Sequence, residues 1–525
     1  MRIAWWIAPA LALPLAIAAH AAEQERPLKL DEAIVLALEK NEAIIIERES
    51  LASAQASVAG ARGAYDPVLD LRSDWERATL PVNSAFSGAP AGKAAPTSEA
   101  AGAEASVRQL LPTGGAVSLS AAASRATTDG AFALLSPAYA TQVGIEARQP
   151  LLRDRATDPA RSAIRIAASD RKRAAASLRS EINETLARVE SAYWTLVAAR
   201  RDVVVREEAV RLAAEQLEET RIRAEKGAAP ETEIAQPRAE LERRRGEVFA
   251  SREAAARAES ALKVLILVDA DAAWSEPFAP TDEPEVEVIP VKLDEVIERA
   301  LASRPELDAS RALLERRKTE SALARDAIRP ALDFVASYDR FGLSGSANPA
   351  GSGLPGLPIL VPDGMEGKWG RSFGMLEEDR FDDARLGLEF RVPVGNRAAK
   401  AGAAEAGSAQ RQAEADLSRA RKTVRAEVLD AAAALETAGG RIEASRSARE
   451  AAEVQLRSEI DRYAAGLSTN FLVLTRQNDL SRARLDEIAA LTDYRKAQAE
   501  MGRATGSLVA DRHIEIDGTT AGENR

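Results

Sequence analysis

Cysteine is absent from all 525 residues. That excludes disulfides, thiolate metal sites and a lipidated N-terminal cysteine. Histidine is nearly absent: there are two, His20 and His513, one near each end of the chain. The body therefore lacks the commonest acid–base group and the commonest transition-metal ligand. No metal, cofactor or enzymatic activity is expected, and no nucleophile motif argues for a hydrolase. After the first twenty or so residues, no stretch reaches the ~18 apolar residues of a membrane helix. The formal charge of −11 argues against nucleic acid as a partner.

The N-terminus reads as a secretory signal over 1–21. Arg2 is the basic start, Ile3–Ala19 the apolar stretch, and Ala19-His20-Ala21 a small-x-small cleavage site. A transmembrane anchor is the alternative. The mature chain is expected to be exported, and either soluble or a β-barrel.

What the chain does contain is a second copy of itself. LKLDEAI at 28–34 returns as VKLDEVI at 291–297, and DPVLDL at 66–71 as RPALDF at 329–334, both at an offset of 263. Ala37 and Ala300, Arg48 and Arg311, Leu51 and Leu314, and Arg62 and Arg325 share that offset. Further on it shrinks, to 243 between Pro150 and Pro393 and to 239 between Gly227 and Gly466. The spacing predicts one helix–sheet–helix unit used twice.

Periodicity fills in the unit. Residues 29–64 read as helix. Residues 66–150 read as strands, with Val143, Ile145 and Ala147 alternating against Gln142, Gly144, Glu146 and Arg148, and LPTGG at 111–115 as a turn. From Arg161 to Lys226 runs an uninterrupted helix. Ile182, Val189, Leu196, Val203, Val210, Leu217 and Ala224 recur along it every seven residues, the mark of coiled-coil packing. Arg200 lies off that series and is expected to tolerate change. Gly227-Ala228-Ala229-Pro230 ends the helix, and a second one runs to about Val268 with a kink at Pro237. An acidic, Pro-rich linker at 269–290 precedes the second unit. Its helix spans 292–327 and its strands 331–341 and 384–394. A long helix at 398–465 carries Val424, Val428, Ala431, Leu435, Ala438 and Ile442, and a shorter one follows Gly466 as far as Gly506. The residues from 508 to 525 read as a disordered tail. The two shorter helices of the first unit, stacked end to end, match the length of the long one. Helices this long, Ala-rich and narrow-striped suit a wall rather than a globular core.

In this order, and in duplicate, the paired KLDE openings, QPLLR at 149–153, VPVGNR at 392–397 and RYAAGL at 462–467 resemble the TolC-like outer-membrane efflux family. The resemblance covers about 29–507. It implies an α+β membrane protein: a homotrimer whose strands form one shared β-barrel in the outer-membrane lipid and whose helices continue as a periplasmic α-barrel. The implied function is the outer-membrane channel of a tripartite efflux or type I secretion system, a passive duct gated at its periplasmic tips. The implied partners are a periplasmic adaptor protein and an inner-membrane pump. The rival reading is a periplasmic adaptor, which has one long hairpin where this chain has two. The family usually contributes four strands per chain; the extra turn signal here allows four or six.

The family's tip pattern, a small residue, Gly-Leu, then a small residue, matches Ala465, Gly466, Leu467 and Ser468. It matches Gly227 and Ala228 less well. These six are the expected adaptor contacts. Thr232, Glu233 and Tyr463 match the family's closure positions, and a Tyr463–Glu233 hydrogen bond is the expected latch. Leu472 and Thr475 stand where the family often places carboxylates, and Ser468 where it has a closure arginine, so a cation-binding ring is not expected from those positions. Tyr193 and Trp194 read as helix anchors, with channel lining as the alternative. Trp75 and Trp369 read as membrane-interface or loop residues; Asp379, Asp382 and Asp383 as a solvated acidic loop or a cation site; and Gly395-Asn396-Arg397 as a strand-to-helix turn.

Overall fold

The structure, a computed structural model, describes residues 25–512 and 514 apart from 82, 84–87, 91, 228–229, 289, 352–359 and 379. The expected signal, Ala228, Asp379 and most of the C-terminal tail lie outside the described residues.

In chain order the elements are β1 (Arg26–Leu28), α1 (Leu30–Lys40), α2 (Glu42–Arg62), β2 (Val68–Thr79), β3 (Thr97–Leu110), β4 (Ala116–Thr128), β5 (Leu135–Pro150), α3 (Pro159–Glu225) and α4 (Ala235–Ile266). Then come β6 (Phe278–Pro280), α5 (Leu293–Ser303), α6 (Pro305–Asp326), β7 (Ala331–Ala347), α7 (Trp369–Glu377), β8 (Asp382–Arg391), α8 (Arg397–Ala464), α9 (Asn470–Thr505) and α10 (Leu508–Asp511). They divide into two compact units. A helical unit comprises Met1–Glu49, Ser177–Glu306 and Arg421–Arg525, and a second unit, which holds the large sheet, comprises Ser50–Ala176 and Leu307–Ala420. Each unit draws on both halves of the sequence repeat.

Among the described residues the large sheet has six strands, in the order β2-β3-β4-β5-β7-β8, antiparallel throughout. LPTGG forms the expected tight turn between β3 and β4. Leu111 N–H donates to the Gly115 carbonyl at 2.8 Å, and Gly114 takes a φ of 85° that a side chain resists. Register sorts the side chains onto two faces. One cross-strand row reads Leu69, Val107, Leu119, Ile145, Tyr338, Ala384, and the row beside it Leu71, Ala105, Ala121, Val143. On the far strand Leu386, Leu388 and Phe390 share that face. The opposite face carries Arg72, Glu104, Glu146, Asp339 and Asp383, with Arg148 paired to Asp333 at 2.5 Å and to Glu389 at 3.1 Å. The apolar face is exposed like the charged one: Leu71, Trp75, Leu386, Leu388 and Phe390 are all more than 60% accessible. Strands β2 and β8 have no partner on their outer edges among the described residues.

In the helical unit, two of the expected continuous helices are broken, at positions that are themselves one repeat offset apart. Asn41 separates α1 from α2. Its carboxamide oxygen accepts from Ala43 N–H at 3.0 Å, the geometry of a helix N-cap, and its amide donates to the Leu265 carbonyl at the end of α4 at 3.1 Å. Arg304 separates α5 from α6, because the residue before Pro305 is pushed into extended backbone. Its guanidinium reaches the Ala504 carbonyl at the end of α9 at 3.0 Å and Glu306 and Glu427 at 2.8 Å each. Each break thus fastens a shorter hairpin helix end to end with its neighbour. Pro237 makes no mid-helix kink. A short 3-10 turn over Glu231–Ile234 delays α4, so the proline sits in its first turn, where a missing N–H costs little. The expected linker holds β6, which pairs in parallel with β1. Residues 508–511, expected in a disordered tail, form α10 instead, held by Arg512 to Asp31 and Glu190 at 2.9 Å each.

The two stripes behave differently. Val424, Val428, Ala431, Leu435, Ala438 and Ile442 are all buried. On α3, Ile182, Val189 and Leu196 are buried, but Val203, Val210, Leu217 and Ala224 are half-exposed. There the buried line shifts to Ala209, Ala213, Gln216 and Thr220. A helix with 3.6 residues per turn drifts off a seven-residue repeat, and the covered face drifts with it.

Candidate functional site at the hairpin tips

Both hairpins turn on glycine for a backbone reason. Gly227 and Gly466 take φ of 71° and 73°, and a Cβ added at either would meet nothing within 4 Å, so conformation rather than space demands the residue. At the second tip Gly466 N–H donates to the Tyr463 carbonyl at 3.0 Å and Leu467 N–H to the Arg462 carbonyl at 2.8 Å, which closes α8 in a Schellman motif. Ala465, Gly466 and Leu467 stand exposed, Leu467 at 72%. Ser468 is less free: its hydroxyl donates to the buried Glu459 carboxylate and fastens the turn back onto α8. Asn470, the first residue of α9, is buried and donates to the Thr220 hydroxyl at 3.4 Å, linking the second tip to the end of α3.

The expected latch has a different geometry. Thr232 and Glu233 are exposed in the 3-10 turn. The described contacts include no hydrogen bond between Tyr463 and Glu233. Instead the Arg223 guanidinium, from the last turn of α3, stands over the Tyr463 ring at 4.9 Å. Burial raises the phenol above its ordinary value; Arg223 opposes the shift, while the charges of Glu219 and Glu233 add to it. The tyrosine thus meets a cation over its face, with two carboxylates near enough to act through charge. Sequence reading missed Arg223, although its place one turn before Gly227 puts it level with the tip.

Further from the tips lies a polar knot that no sequence pattern announced. Arg244 is buried, with its Nε donating to Glu240 at 2.8 Å, one terminal nitrogen to Asn478 at 3.0 Å and the other to the Ala209 carbonyl at 3.4 Å. Asn478 returns a bond to Glu240 at 3.2 Å, and Arg243 also pairs with Glu240. Burial alone would raise the Glu240 carboxyl, but the hydrogen bonds from Arg243 and Arg244 outweigh it and hold the group down to about 2. The knot ties α3, α4 and α9 together.

The remaining readings fall into place around this site. Leu472 and Thr475 are present as read and carry no carboxylate. Tyr193 and Trp194 are buried anchors: their rings meet edge-on at 5.5 Å, and the Tyr193 hydroxyl donates to Asp282 at 2.5 Å with the Leu28 carbonyl at 3.0 Å. Gly395 and Asn396 take φ of 82° and 43°, and the Asn396 amide donates to the Ile328 carbonyl at 3.0 Å: a strand-to-helix turn into α8. Asp383 pairs with Arg385 at 3.2 Å, and no cluster suited to a metal ion occurs among the described residues. Arg200, expected to tolerate change, pairs with Glu25 and Glu259 at 2.9 Å each and is no silent position.

Long helices with glycine tips and a two-faced sheet are the parts of the fold to compare. Residues 296–507 match the sequence model of the outer membrane efflux protein family. The CmeC outer membrane channel of Campylobacter jejuni superposes with a TM-score of 0.64 at 16% identity, over 91% of this chain and 85% of that one. The outer membrane protein VceC of Vibrio cholerae gives 0.62 at 16% identity, over 91% of this chain and 96% of that one. The Neisseria gonorrhoeae MtrE channel, solved in its open state, gives 0.58 at 17% identity, over 91% of this chain and 88% of that one. No curated protein sequence matches the chain. The sequence match to the outer membrane efflux protein family thus lies in the second repeat, and the fold of these channels is shared over most of the chain.

Proposed function

We propose that three copies of this chain close one β-barrel in the outer membrane and form the exit duct of a tripartite efflux or type I secretion system, with a large periplasmic helical portion. The observation that carries the reading is the six-stranded sheet, with one exposed apolar face, one charged face and two unpaired edge strands. In lipid every backbone polar group needs a partner, so such a sheet suits a bilayer only when its edges are paired. Pairing β8 of one copy with β2 of the next removes them. Six strands from each of three chains give eighteen in all. Barrels of about 16–18 strands leave an aqueous channel. The charged face then lines water and the apolar face meets lipid. The chain supplies no energy source in this reading. An inner-membrane pump supplies it, and a periplasmic adaptor docks on the tip residues Gly227, Ala228, Ala465, Gly466, Leu467 and Ser468. Thr232, Glu233 and Tyr463, joined by Arg223, form the periplasmic gate.

Mass measurement of the detergent-solubilised protein should give three chains, and planar bilayers should show discrete conductance steps. A detergent-free, soluble monomer, or a trimer that never conducts even with its gate residues replaced, overturns the reading.

A further inference from the structure

The helix α7 interrupts the long connection between β7 and β8, and it returns to the sheet on the apolar face. Gly342 and Thr141 are register partners on that face. The Thr141 hydroxyl lies 2.9 Å from the Ser372 hydroxyl and 3.1 Å from the Ser372 carbonyl, and a Cβ at Gly342 would stand 1.9 Å from that same carbonyl. The glycine is what admits the helix so close. Ser372 and Met375 are buried beneath it. Arg340, a charge on the same apolar face beside Val143, donates to the Leu376 carbonyl at the end of α7 at 3.1 Å. Docking of the helix adds this carbonyl to the Tyr338 hydroxyl, which accepts from Arg340 Nε at 3.1 Å.

The outer side of α7 is not wholly polar. Phe373 is 50% exposed and leans over the sheet toward Leu71, Ala105 and Val143. Trp369 stacks edge-on against Tyr139 at 5.0 Å and lies 6.2 Å from Phe373. Tyr139 belongs to a cross-strand row that runs through Arg125 and Ala101 to the exposed Trp75. One level of the apolar face thus carries Trp, Arg and Tyr across β2 to β5, and α7 extends it with a tryptophan and a phenylalanine. Aromatic rings and snorkelling arginines at one height are what a membrane–water boundary selects.

We infer that α7 is an in-plane interfacial helix: it lies on the lipid-facing side of the barrel wall, at the end of the sheet away from the long helices, with Phe373 among lipid acyl chains and Trp369 at the headgroup level. The occupant of its outer face is membrane lipid, because the exposed Phe373 lies beside the apolar residues Leu71, Ala105 and Val143 of the strands. The inference rests on the proposed barrel. It adds a membrane contact outside the strands, at which the barrel is fixed to the outer leaflet.

The cysteine-free chain makes the test clean. Single cysteines at Phe373, at Glu377 and, as a barrel control, at Leu388 are labelled with a nitroxide in purified protein reconstituted in phosphatidylcholine vesicles. Collisions with oxygen, which concentrates in lipid, are compared with collisions with a water-soluble nickel chelate. Oxygen-dominated relaxation at 373 and 388 is the expected result, with 377, one turn further along the same exposed face, at a similar depth. Nickel dominance at 373 with oxygen dominance at 388 overturns the helix placement and leaves the barrel standing. Nickel dominance at 388 overturns the barrel itself. Low collision rates with both reagents at 373 show protein, not lipid, over the helix, and also overturn the inference. In protein carrying Trp75→Phe, quenching of Trp369 by lipids brominated near the headgroup checks the placement without altering α7; its absence counts against it.

Discussion

Replacing Arg223 by glutamine tests the proposed gate most directly, because Arg223 stands over the Tyr463 ring where the sequence motif pointed to a Tyr463–Glu233 bond. In the structure the cation stands over the Tyr463 ring at 4.9 Å. A cation over an aromatic face at a partly exposed site contributes about 0.5–1 kcal/mol. In a trimer whose three tips move together, the closed state would hold about 1.5–3 kcal/mol from this contact. At 1.4 kcal/mol per factor of ten, Arg223→Gln should raise the open-to-closed ratio by roughly 10- to 150-fold. Tyr463→Phe keeps the ring and its face, so it should change the ratio little. A hydroxyl latch to Glu233 predicts the reverse order, a large effect of Tyr463→Phe and a small one of Arg223→Gln. Glu233→Gln removes a nearby negative charge without removing a direct bond, so its effect should be modest and fade with salt. The assay is single-channel open probability in planar bilayers, after the trimer content of each variant has been checked. A Tyr463→Phe opening as large as that of Arg223→Gln would refute the cation–ring account. Unchanged gating in all three variants, with trimers intact, would remove these residues from the gate.

Three further outcomes are expected. Leu196→Asp should abolish the folded trimer, because Leu196 is fully buried and its new charge would have no partner; Thr195→Asp, one residue away and exposed, should leave trimer yield on a native gel nearly unchanged. The Glu240 carboxyl, held at about 2 in the fold, should stabilise the helical unit fully above its ordinary value of 4.5, with that contribution lost as pH falls toward 2; Glu240→Gln should flatten this acid limb in thermal melts. Arg304→Ala should cost about 1–3 kcal/mol, since it frees the buried last carbonyls of α9, while Glu427 keeps Arg503 at 3.9 Å; hydrogen exchange should rise first at the C-terminal end of that helix.

Much of this architecture was written in the sequence at a scale longer than any single element. The alternation of Leu386, Leu388 and Phe390 against Arg385, Gly387 and Glu389 gave the face of β8, and the stripe from Val424 to Ile442 is buried without exception, because period and burial are the same constraint seen twice. Glycine at 227 and 466 was legible because few other residues take their backbone conformation. Reading failed where the deciding partner is far along the chain. Arg304 looks like an ordinary helix charge until the end of α9 supplies its carbonyls, and Arg244 until Asn478 arrives from 234 residues away. Arg200 looked neutral for the same reason. The Tyr463 contact shows a third kind of difference: the motif pointed to a bond with Glu233, and the ring instead meets Arg223, since a family pattern does not fix which atom of each side chain faces the other.

The strand count shows what it takes to move from pattern to mechanism. LPTGG allowed an extra hairpin in the wall or one folded away from it, and the two differ only in whether β2 and β3 continue the register of β4. They do: Leu69, Val107, Leu119 and Ile145 fall in one row, on the same face as the strands of the second half. A hairpin folded away from the wall would have no reason to keep that alternation, with Leu71 and Trp75 both exposed on the apolar face. The physical consequence is width, since barrel diameter grows roughly linearly with strand number. A chain that adds two strands to the usual four should enclose a correspondingly wider pore. Deleting Val68 to Leu110 therefore makes a sharp test. If both strands belong to the wall, the truncated trimer should either fail to close or close with a clearly smaller conductance. An unaltered conductance would place the hairpin outside the wall and return the count to four.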